Sequence, residues 1–175
     1  MSRLDDIAEQ IQERKQPPVH LWKPENVGDI DIRIDSNGFW FHEGDPITRQ
    51  QLVNLFASIL WFEDEDYYLV TPVEKLKIEV EDVPFIVHQM EHVDDSWVAV
   101  TNNHEQVIID STHPVKLNRY QDQWLPYICV RYDLWARVNR SIYYQWVNAA
   151  MEQQQSENDP LMLESQDYRF EVARA

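Results

Sequence analysis

The stretch "DIDIRIDSNGFWF", residues 29–41, alternates three isoleucines with charged residues, breaks at Ser36-Asn37-Gly38 and resumes with three aromatic residues. Alternation with a period of two is typical of a half-buried strand, because successive side chains point to opposite faces of a sheet. Turns favour serine, asparagine and glycine, and the last two accept positive φ. The stretch therefore predicts a β-hairpin.

A helix is predicted immediately after this hairpin, in "TRQQLVNLFASILWF", residues 48–62. Its apolar residues fall on one stripe at helical spacing: Leu52, Leu55, Phe56 and Ile59. Such a stripe predicts a helix that faces the core. Thr48 and Gln51 have the spacing of a capping box, which would start the helix.

Further along the chain, short apolar runs separated by turn residues predict antiparallel strands. These runs are "YYLVTP", "KLKIEV", "PFIVHQMEHV", "SWVAVT", "QVIID" and one or two strands in "LPYICVRYDLWARV". A second helix is predicted in "NRSIYYQWVNAAMEQQQ", with Asn139 as its cap. At the ends, residues 4–11 predict a short amphipathic helix and "YRFEV" predicts a last edge strand.

The two longer helices suggest an internal repeat. At an offset of 91 residues, the stripe of the first helix falls on Tyr143, Trp146, Val147 and Ala150, and Arg49 falls on Arg140. A duplication would explain this match, although any two amphipathic helices share such spacing.

The fold class predicted is α+β, with two tandem related domains that each contain antiparallel strands and one core-facing helix. The predicted segments are an N-terminal helical extension (1–17), a first domain (18–82), a second domain (83–151) and a tail (152–175).

Composition excludes several classes of protein. The 175 residues are 43% hydrophobic and 12% aromatic, which is ample for a packed core. Fifteen basic against 31 acidic residues give a net charge of −16, which argues against long nucleic acids and anionic membranes as partners. No apolar signal core begins the chain and no run is long enough to cross a membrane, so we expect a cytoplasmic protein.

The charge is unevenly distributed along the chain. Residues 62–95 contain eleven acidic residues against two lysines, whereas residues 115–140 contain five basic residues against two acidic ones. A small anionic ligand would bind most readily in the second region. A solvated basic face that offsets the acidic half is the alternative interpretation.

The sequence "HQMEH", residues 88–92, has the His-x-x-Glu-His spacing of one class of zinc peptidases. That chemistry requires a helix, in which His88 and His92 would lie one turn apart with Glu91 beside them. The flanking valines, isoleucine and aromatic residues favour a strand instead, where the two histidines would be roughly 13 Å apart. We therefore predict no metal site and no cofactor.

Four arginines form the candidate ligand-binding set. Arg131 lies in a predicted strand, Arg137 and Arg140 flank the junction between that region and the second helix, and Arg49 occupies the matching junction in the first domain. If the junctions face each other, the four line one cleft. Guanidinium groups and helix-start amides would bind phosphate or carboxylate there.

Three aromatic residues complete this set, because Trp40, Trp135 and Tyr143 lie near the arginines in sequence and could stack on a base. The structural alternative is that Arg131 and Arg140 form salt bridges to the acidic half across the domain interface. In that case the aromatic residues belong to the core.

Three long segments carry a resemblance to a known family: "DIDIRIDSNGFWFHEGDPITRQQLVNLFASIL", "YYLVTPVEKLKIEVEDVPF" and "PYICVRYDLWARVNRSIYYQWV". Between about residues 18 and 150, the chain resembles the bacterial family catalogued as domain of unknown function 1285. The resemblance implies two tandem related α+β domains, the second loosely similar to a pleckstrin-homology domain. It also implies a site for a nucleotide-like ligand at the domain interface and a role in signal transduction. It supplies no catalytic residues.

Two functions are consistent with these features. The first is a non-catalytic cytoplasmic sensor or regulatory module that binds a small anionic, nucleotide-like ligand between its domains. The second is an acidic protein-interaction adaptor, in which the strand at 83–93 meets a basic or strand-donating protein partner. A metal-dependent hydrolase that uses His88, Glu91 and His92 ranks third, so we predict that the protein is not an enzyme. The oligomeric state does not follow from the sequence.

Overall fold

The computed structural model describes residues 2–174. Met1 and Ala175, at the ends of the predicted extension and tail, lie outside the described residues. The described helices are α1 (Arg3–Glu13), α2 (Gln50–Ser58) and α3 (Arg140–Gln153), and a 3₁₀ turn spans Val19–Leu21. None of these helices is both long and apolar enough to span a membrane.

The first domain contains a six-stranded sheet. Its strands are β1 (Asn26–Ile34), β2 (Trp40–His42), β3 (Asp45–Pro46), β4 (Leu60–Glu63), β5 (Asp66–Val70) and β6 (Glu74–Val80). They lie in the order β3-β2-β1-β6-β5-β4. Neighbouring strands are antiparallel except the central pair, β1 and β6, which is parallel.

The second domain contains another six-stranded sheet. Its strands are β7 (Phe85–Val93), β8 (Ser96–Thr101), β9 (Gln106–Ile108), β10 (Val115–Tyr120), β11 (Gln123–Arg131) and β12 (Leu134–Val138). They lie in the order β10-β11-β12-β7-β8-β9, with β12 and β7 parallel. The α+β class and the two tandem domains are confirmed, but both sheets are mixed rather than wholly antiparallel.

The duplication is visible in the order of the strands. Adding six to each strand number of the first sheet gives the order of the second, and β1 and β7 begin 59 residues apart. The helices hold different places, because α2 lies between the third and fourth strands of its sheet whereas α3 follows the sixth. The 91-residue match therefore pairs helices that are not equivalent. Their shared amphipathic spacing produced it.

The hairpin predicted in residues 29–41 is present. Ile34 pairs with Trp40 across the β1–β2 turn, and Gly38 in the turn has a φ of +83°. Ile32, Ile34 and Trp40 are buried, as the alternating pattern requires. They belong to one apolar core that continues through both domains and includes Phe85 and the tail.

Helix α2 begins later than its sequence suggests. Arg49 is its N-cap and supplies no side-chain hydrogen bond, so the predicted Thr48–Gln51 capping box is wrong. The predicted stripe is also wrong at Leu55, which is 57% exposed. Ala57 is the fully buried residue of this helix. Part of the remaining apolar stripe also packs against the core.

Helix α3 begins where the sequence predicts. The Asn139 side chain accepts a hydrogen bond from the Ile142 amide at 3.0 Å, which is the expected N-cap contact. Trp146 is completely buried beneath the helix and packs against Trp97 and Phe170. The chain between β12 and α3 is thus held by a cap and by a large core residue.

The two chain ends both pack on the second domain. Helix α1 inserts Ile7 between Val93 and Val98, in a small apolar cluster separate from the main core. The tail forms a hairpin of β13 (Met162–Ser165) and β14 (Tyr168–Glu171). The predicted last strand therefore exists, but it pairs within the tail rather than at the edge of a six-stranded sheet.

Candidate functional site

Arg137 joins the two domains through a buried ion pair. Its Nη1 atom lies 2.5 Å from Oδ2 of Asp82, and its Nη2 donates to the Ser36 carbonyl at 2.6 Å. The Tyr127 hydroxyl donates to the same carboxylate at 3.0 Å. Burial, and then the charge of Asp82, raise the pKa of Tyr127, so this phenol stays protonated.

Arg131 makes a second link between the domains. Its Nη2 donates to the carbonyl of Ala57 in α2 at 2.8 Å, and its Nη1 lies 3.2 Å from the Glu105 carboxylate. Burial lowers the pKa of Arg131, and Glu105 opposes this effect. The side chains of Arg131 and Glu105 are only 15% and 8% exposed, so both charges are largely removed from water.

The turn of the first hairpin forms a third contact between the domains. Asn102 donates from Nδ2 to the Gly38 carbonyl at 3.2 Å, while its Oδ1 accepts from the Ile86 amide at 3.1 Å. A Cβ atom on Gly38 would lie 2.6 Å from Nδ2 of Asn102. The turn therefore fits against the second domain only because it carries glycine there.

The predicted convergence of four arginines on one cleft is not observed. Arg137 and Arg140 line a cleft between the domains, whereas Arg131 lines a different cleft beside α1. Arg49 lies exposed at the start of α2. The reason is topological, because α2 lies between the third and fourth strands of its sheet whereas α3 follows the sixth, so Arg49 and Arg140 do not hold equivalent positions.

The three candidate aromatic residues lie outside the lining of the cleft between the domains. Trp40 is buried in the first domain and stacks on Phe56, and Tyr143 is buried within the main core. Trp135 is half-buried beneath the ammonium group of Lys116, which lies 4.0 Å from its ring centre. The structure thus places Trp40 and Tyr143 in the core, as the structural alternative expected.

The cleft between the domains has a volume of about 380 Å³. We call it the interdomain cleft; its lining residues are Asn37, Ile86, Tyr120, Gln121, Leu125, Arg137, Val138, Asn139 and Arg140. The guanidinium of Arg137 lies over the Tyr120 ring, 3.7 Å from its centre. Asn37 comes from the hairpin turn of the first domain, so both domains contribute to this cleft.

Arg140 differs from Arg137 in its partners. It is exposed and donates from Nη2 to Gln121 at 3.1 Å, and it forms no ion pair with another residue in 2–174. The Asn139 cap satisfies the Ile142 amide, and the described contacts leave the amides of Arg140 and Ser141 without a partner. A guanidinium without an acidic partner, together with unpaired amides at a helix start, forms a suitable environment for an anion.

The zinc-like motif lies in a strand, as predicted. His88, Glu91 and His92 are exposed positions of β7, and Glu91 is paired with Arg3. No group of three metal-ligating side chains occurs within residues 2–174. In this strand His88 and His92 do not lie one helical turn apart, which is the arrangement that the zinc motif requires.

Tyr120 and Gln121 are two of the cleft residues that sequence reasoning missed. They lie where β10 turns into β11, and Gln121 has a φ of +56°. Their sequence resembles that of an ordinary hairpin turn. Their contacts with Arg137 and Arg140 are made across the fold, between residues that are distant in sequence. No local signal would have identified them.

Comparison with known proteins gives a family and two similar solved structures. The N-terminal DUF1285 domain model matches residues 17–83, and the C-terminal DUF1285 domain model matches residues 84–172. The match includes the tail hairpin, which lies beyond the segments that carry the resemblance in the sequence. No curated protein matches the chain.

The first structure is a DUF1285 family protein from Silicibacter pomeroyi DSS-3. It is 31% identical, with a TM-score of 0.83 over 95% of this chain and 94% of that one. A DUF1285 family protein from Shewanella baltica OS155 is 29% identical, with a TM-score of 0.55 over 67% of this chain and 90% of that one. This chain belongs to the DUF1285 family, a family of unknown function built from two domains.

Proposed function

We propose that this protein is a non-catalytic regulatory module that binds a small anionic ligand in the interdomain cleft, in the manner of a sensor. The observation that carries the proposal is the position of Arg140, which brings a guanidinium without an acidic partner among residues 2–174 to a cleft lined by both domains. A cleft of about 380 Å³ lies within the range of small-ligand sites.

The chemistry of the interdomain cleft favours a phosphate-bearing ligand. Arg140 offers a planar fork of donors, and the first-turn amides of α3 add positive potential. Tyr120 offers a ring, but Arg137 already covers one of its faces. A nucleotide-like ligand would therefore place its phosphate at Arg140 and its base at the free edge or face of Tyr120.

A regulatory role is consistent with the way the two domains meet. Because Asn37 and Arg140 come from different domains, a ligand that touches both would stabilise their present arrangement. The pleckstrin-homology likeness, a role in signalling and a cytoplasmic location remain predictions that follow from the sequence and the family resemblance.

The test is thermal unfolding of the full chain against a panel of nucleotides, cyclic nucleotides and dinucleotide messengers. A ligand that binds the folded state raises the melting temperature in proportion to the logarithm of its concentration above the Kd. We expect stabilisation that is lost in Arg140→Ala and kept in Arg49→Ala, which removes an exposed arginine at the other helix start. Equal stabilisation of both variants, or no stabilisation by any compound, would reject the proposal.

A protein-interaction adaptor is the second candidate, and the acidic turn between β4 and β5 favours it. Glu63, Asp64 and Glu65 are exposed there, and β4 is an edge strand of the first sheet. In the predicted strand at 83–93, β7 pairs with β8 from Val87 to Val93 and with β12 only from Phe85 to Val87, so a donated strand would pair on the β12 side beyond Val87. Capture of a basic protein by the wild type, but not by a variant with Asp64 and Glu65 changed to lysine, would support this function.

A further inference from the structure

A second cleft lies between the N-terminal segment and the second domain. We call it the N-terminal cleft, and its volume is about 340 Å³. Apolar side chains line one part of it: Ala8, Ile11, Val107, Ile108 and Val130. Its polar lining includes Arg14, Gln16, Glu105 and Arg131.

Glu105 organises the polar part of this cleft. Its Oε1 accepts from Nε2 of Gln16 at 2.9 Å, and its Oε2 accepts from Nδ2 of Asn103 at 2.8 Å. Arg131 lies 3.2 Å from the same carboxylate. These donors satisfy the buried charge of Glu105, so it is not available to a ligand.

Gln16 is left with an unsatisfied acceptor. Its Oε1 atom is buried and has no hydrogen-bond partner among the described residues. The amide cannot be reversed to solve this, because the reversed form would place Oε1 against the Glu105 carboxylate. Buried acceptors are normally paired, so this atom requires a donor that the described chain does not supply.

Arg14 provides a positive charge two residues before Gln16. Its Nη2 donates to the Asn103 carbonyl at 3.2 Å, and it forms no ion pair within the described part of the chain. Arg14 lies close enough to Arg131 to lower its pKa, after the larger effect of burial. Arg131 is thus paired with the carboxylate of Glu105, whereas Arg14 is not.

One further carboxylate lines the N-terminal cleft. Asp110 accepts hydrogen bonds at Oδ1 from the amides of Thr112 and His113, at 2.9 Å each, so it is held within its own turn. The polar part of the cleft therefore combines an unpaired cation with an unpaired acceptor, next to an apolar wall.

We propose that the N-terminal cleft binds a small α-amino or α-hydroxy carboxylate with an apolar side chain. The carboxylate pairs with Arg14, the α-ammonium or α-hydroxyl donates to Oε1 of Gln16, and the apolar side chain packs on Ile11 and Val107. This site is separate from the interdomain cleft and does not depend on the function proposed for it.

Three probes that differ only at the α-carbon test this proposal by titration calorimetry with the full chain. They are leucine, 2-hydroxy-4-methylpentanoate and 4-methylpentanoate. We expect one or both of the first two to bind at least tenfold more tightly than the third, which lacks the donor. The tighter of the two identifies the ligand as an amino acid or a hydroxy acid. No binding by either, or equal binding of all three, would overturn the proposal.

Two variants connect the binding to the named residues. Gln16→Met removes the acceptor at similar size and should abolish the preference for the probes that carry a donor. Arg14→Ala should remove binding, whereas Lys15→Ala and Arg140→Ala should retain it. If Arg14→Ala does not fold, Arg14→Lys should bind the same probe more weakly, because it keeps the charge but loses the fork. Unchanged binding in both cleft variants would also overturn the proposal.

Discussion

Arg137 and Asp82 form an ion pair across the boundary between the two domains, with side chains that are 7% and 23% exposed. The pair is not isolated, because Asp82 also accepts from Tyr127 and Arg137 also donates to the Ser36 carbonyl. Removing one member of such a pair leaves the other charge buried without its partner.

Asp82→Ala should therefore lower the free energy of unfolding by about 3 to 5 kcal/mol, the usual cost of breaking a buried ion pair. Urea unfolding measures this loss. Glu25→Ala, at an exposed acidic position before β1, is the control and should change stability by less than about 0.5 kcal/mol. A similar small change in both variants would mean that Arg137 finds another partner.

Gly38→Ala tests the contact between the hairpin turn and the second domain. Gly38 and Gly44 both have positive φ, +83° and +85°, so alanine is strained at either position. At Gly44 an added Cβ meets nothing within 4 Å, whereas at Gly38 it would lie 2.6 Å from Asn102 and 2.9 Å from Ile86.

We expect Gly44→Ala to cost roughly 1 to 2 kcal/mol of unfolding free energy, the cost of a left-handed residue. Gly38→Ala should cost clearly more, because its neighbours must also move. Thermal and urea unfolding of the two variants provide the comparison. Equal losses of unfolding free energy in the two variants would show that the Asn102 side chain moves aside without an energetic cost.

Asn139→Ala tests the helix start that lines the interdomain cleft. Loss of the bond from Ile142 to the Asn139 side chain should reduce stability by roughly 1 kcal/mol, as for other N-caps. Thr48→Ala is the matched control at the start of α2, where Arg49 is the N-cap without a side-chain bond. Chemical unfolding should show little change for this control. A loss as large as that of Asn139→Ala would restore the predicted capping box.

The raised pKa of Tyr67 predicts how the free energy of unfolding changes at alkaline pH. Burial, and then the charge of Asp82, raise its pKa from 10.0 to about 12. Between these values the unfolded chain loses a proton that the folded chain keeps, so stability falls as pH rises through this window.

Unfolding by urea at pH 9 and pH 11 measures this effect. Tyr67→Phe should lose less stability between the two pH values than the wild type, while Tyr144→Phe, at a residue that is 55% exposed, should behave like the wild type. Part of the fall remains in every variant, because the pKa of Tyr127 is also raised. Identical losses in all three proteins would mean that Tyr67 titrates normally.

Local sequence patterns predicted the parts of the fold that depend on near neighbours. The Ile34–Trp40 hairpin and the Asn139 cap each involve residues a few positions apart, and both are observed. The parallel pairing of β1 with β6 was not predicted, because it joins strands separated along the chain by a helix and four other strands. Strand patterns carry no information on which distant strand lies alongside.

The candidate site was predicted only in part, because its side chains also make contacts that are distant in sequence. An arginine in a strand can bind a ligand or a distant carbonyl, and the bond from Arg131 to Ala57 spans 74 residues. Aromatic residues are equally ambiguous, because side chains such as Trp40 and Tyr143 can pack in a core or stack on a nucleotide base. Arg137 and Arg140 meet in the interdomain cleft because β12 leads directly into α3, a local arrangement that the sequence did indicate.

The ion pair between Asp82 and Arg137 also has a consequence during synthesis of the chain. The two residues are 55 positions apart, so at common translation rates Asp82 is made roughly 3 to 11 s before Arg137. The carbonyls of Ser36 and Ala57 are likewise synthesised before the guanidinium groups of the second domain that donate to them. The nascent first domain thus exposes polar groups that form hydrogen bonds with water. When the second domain emerges from the ribosome, its side chains replace this water.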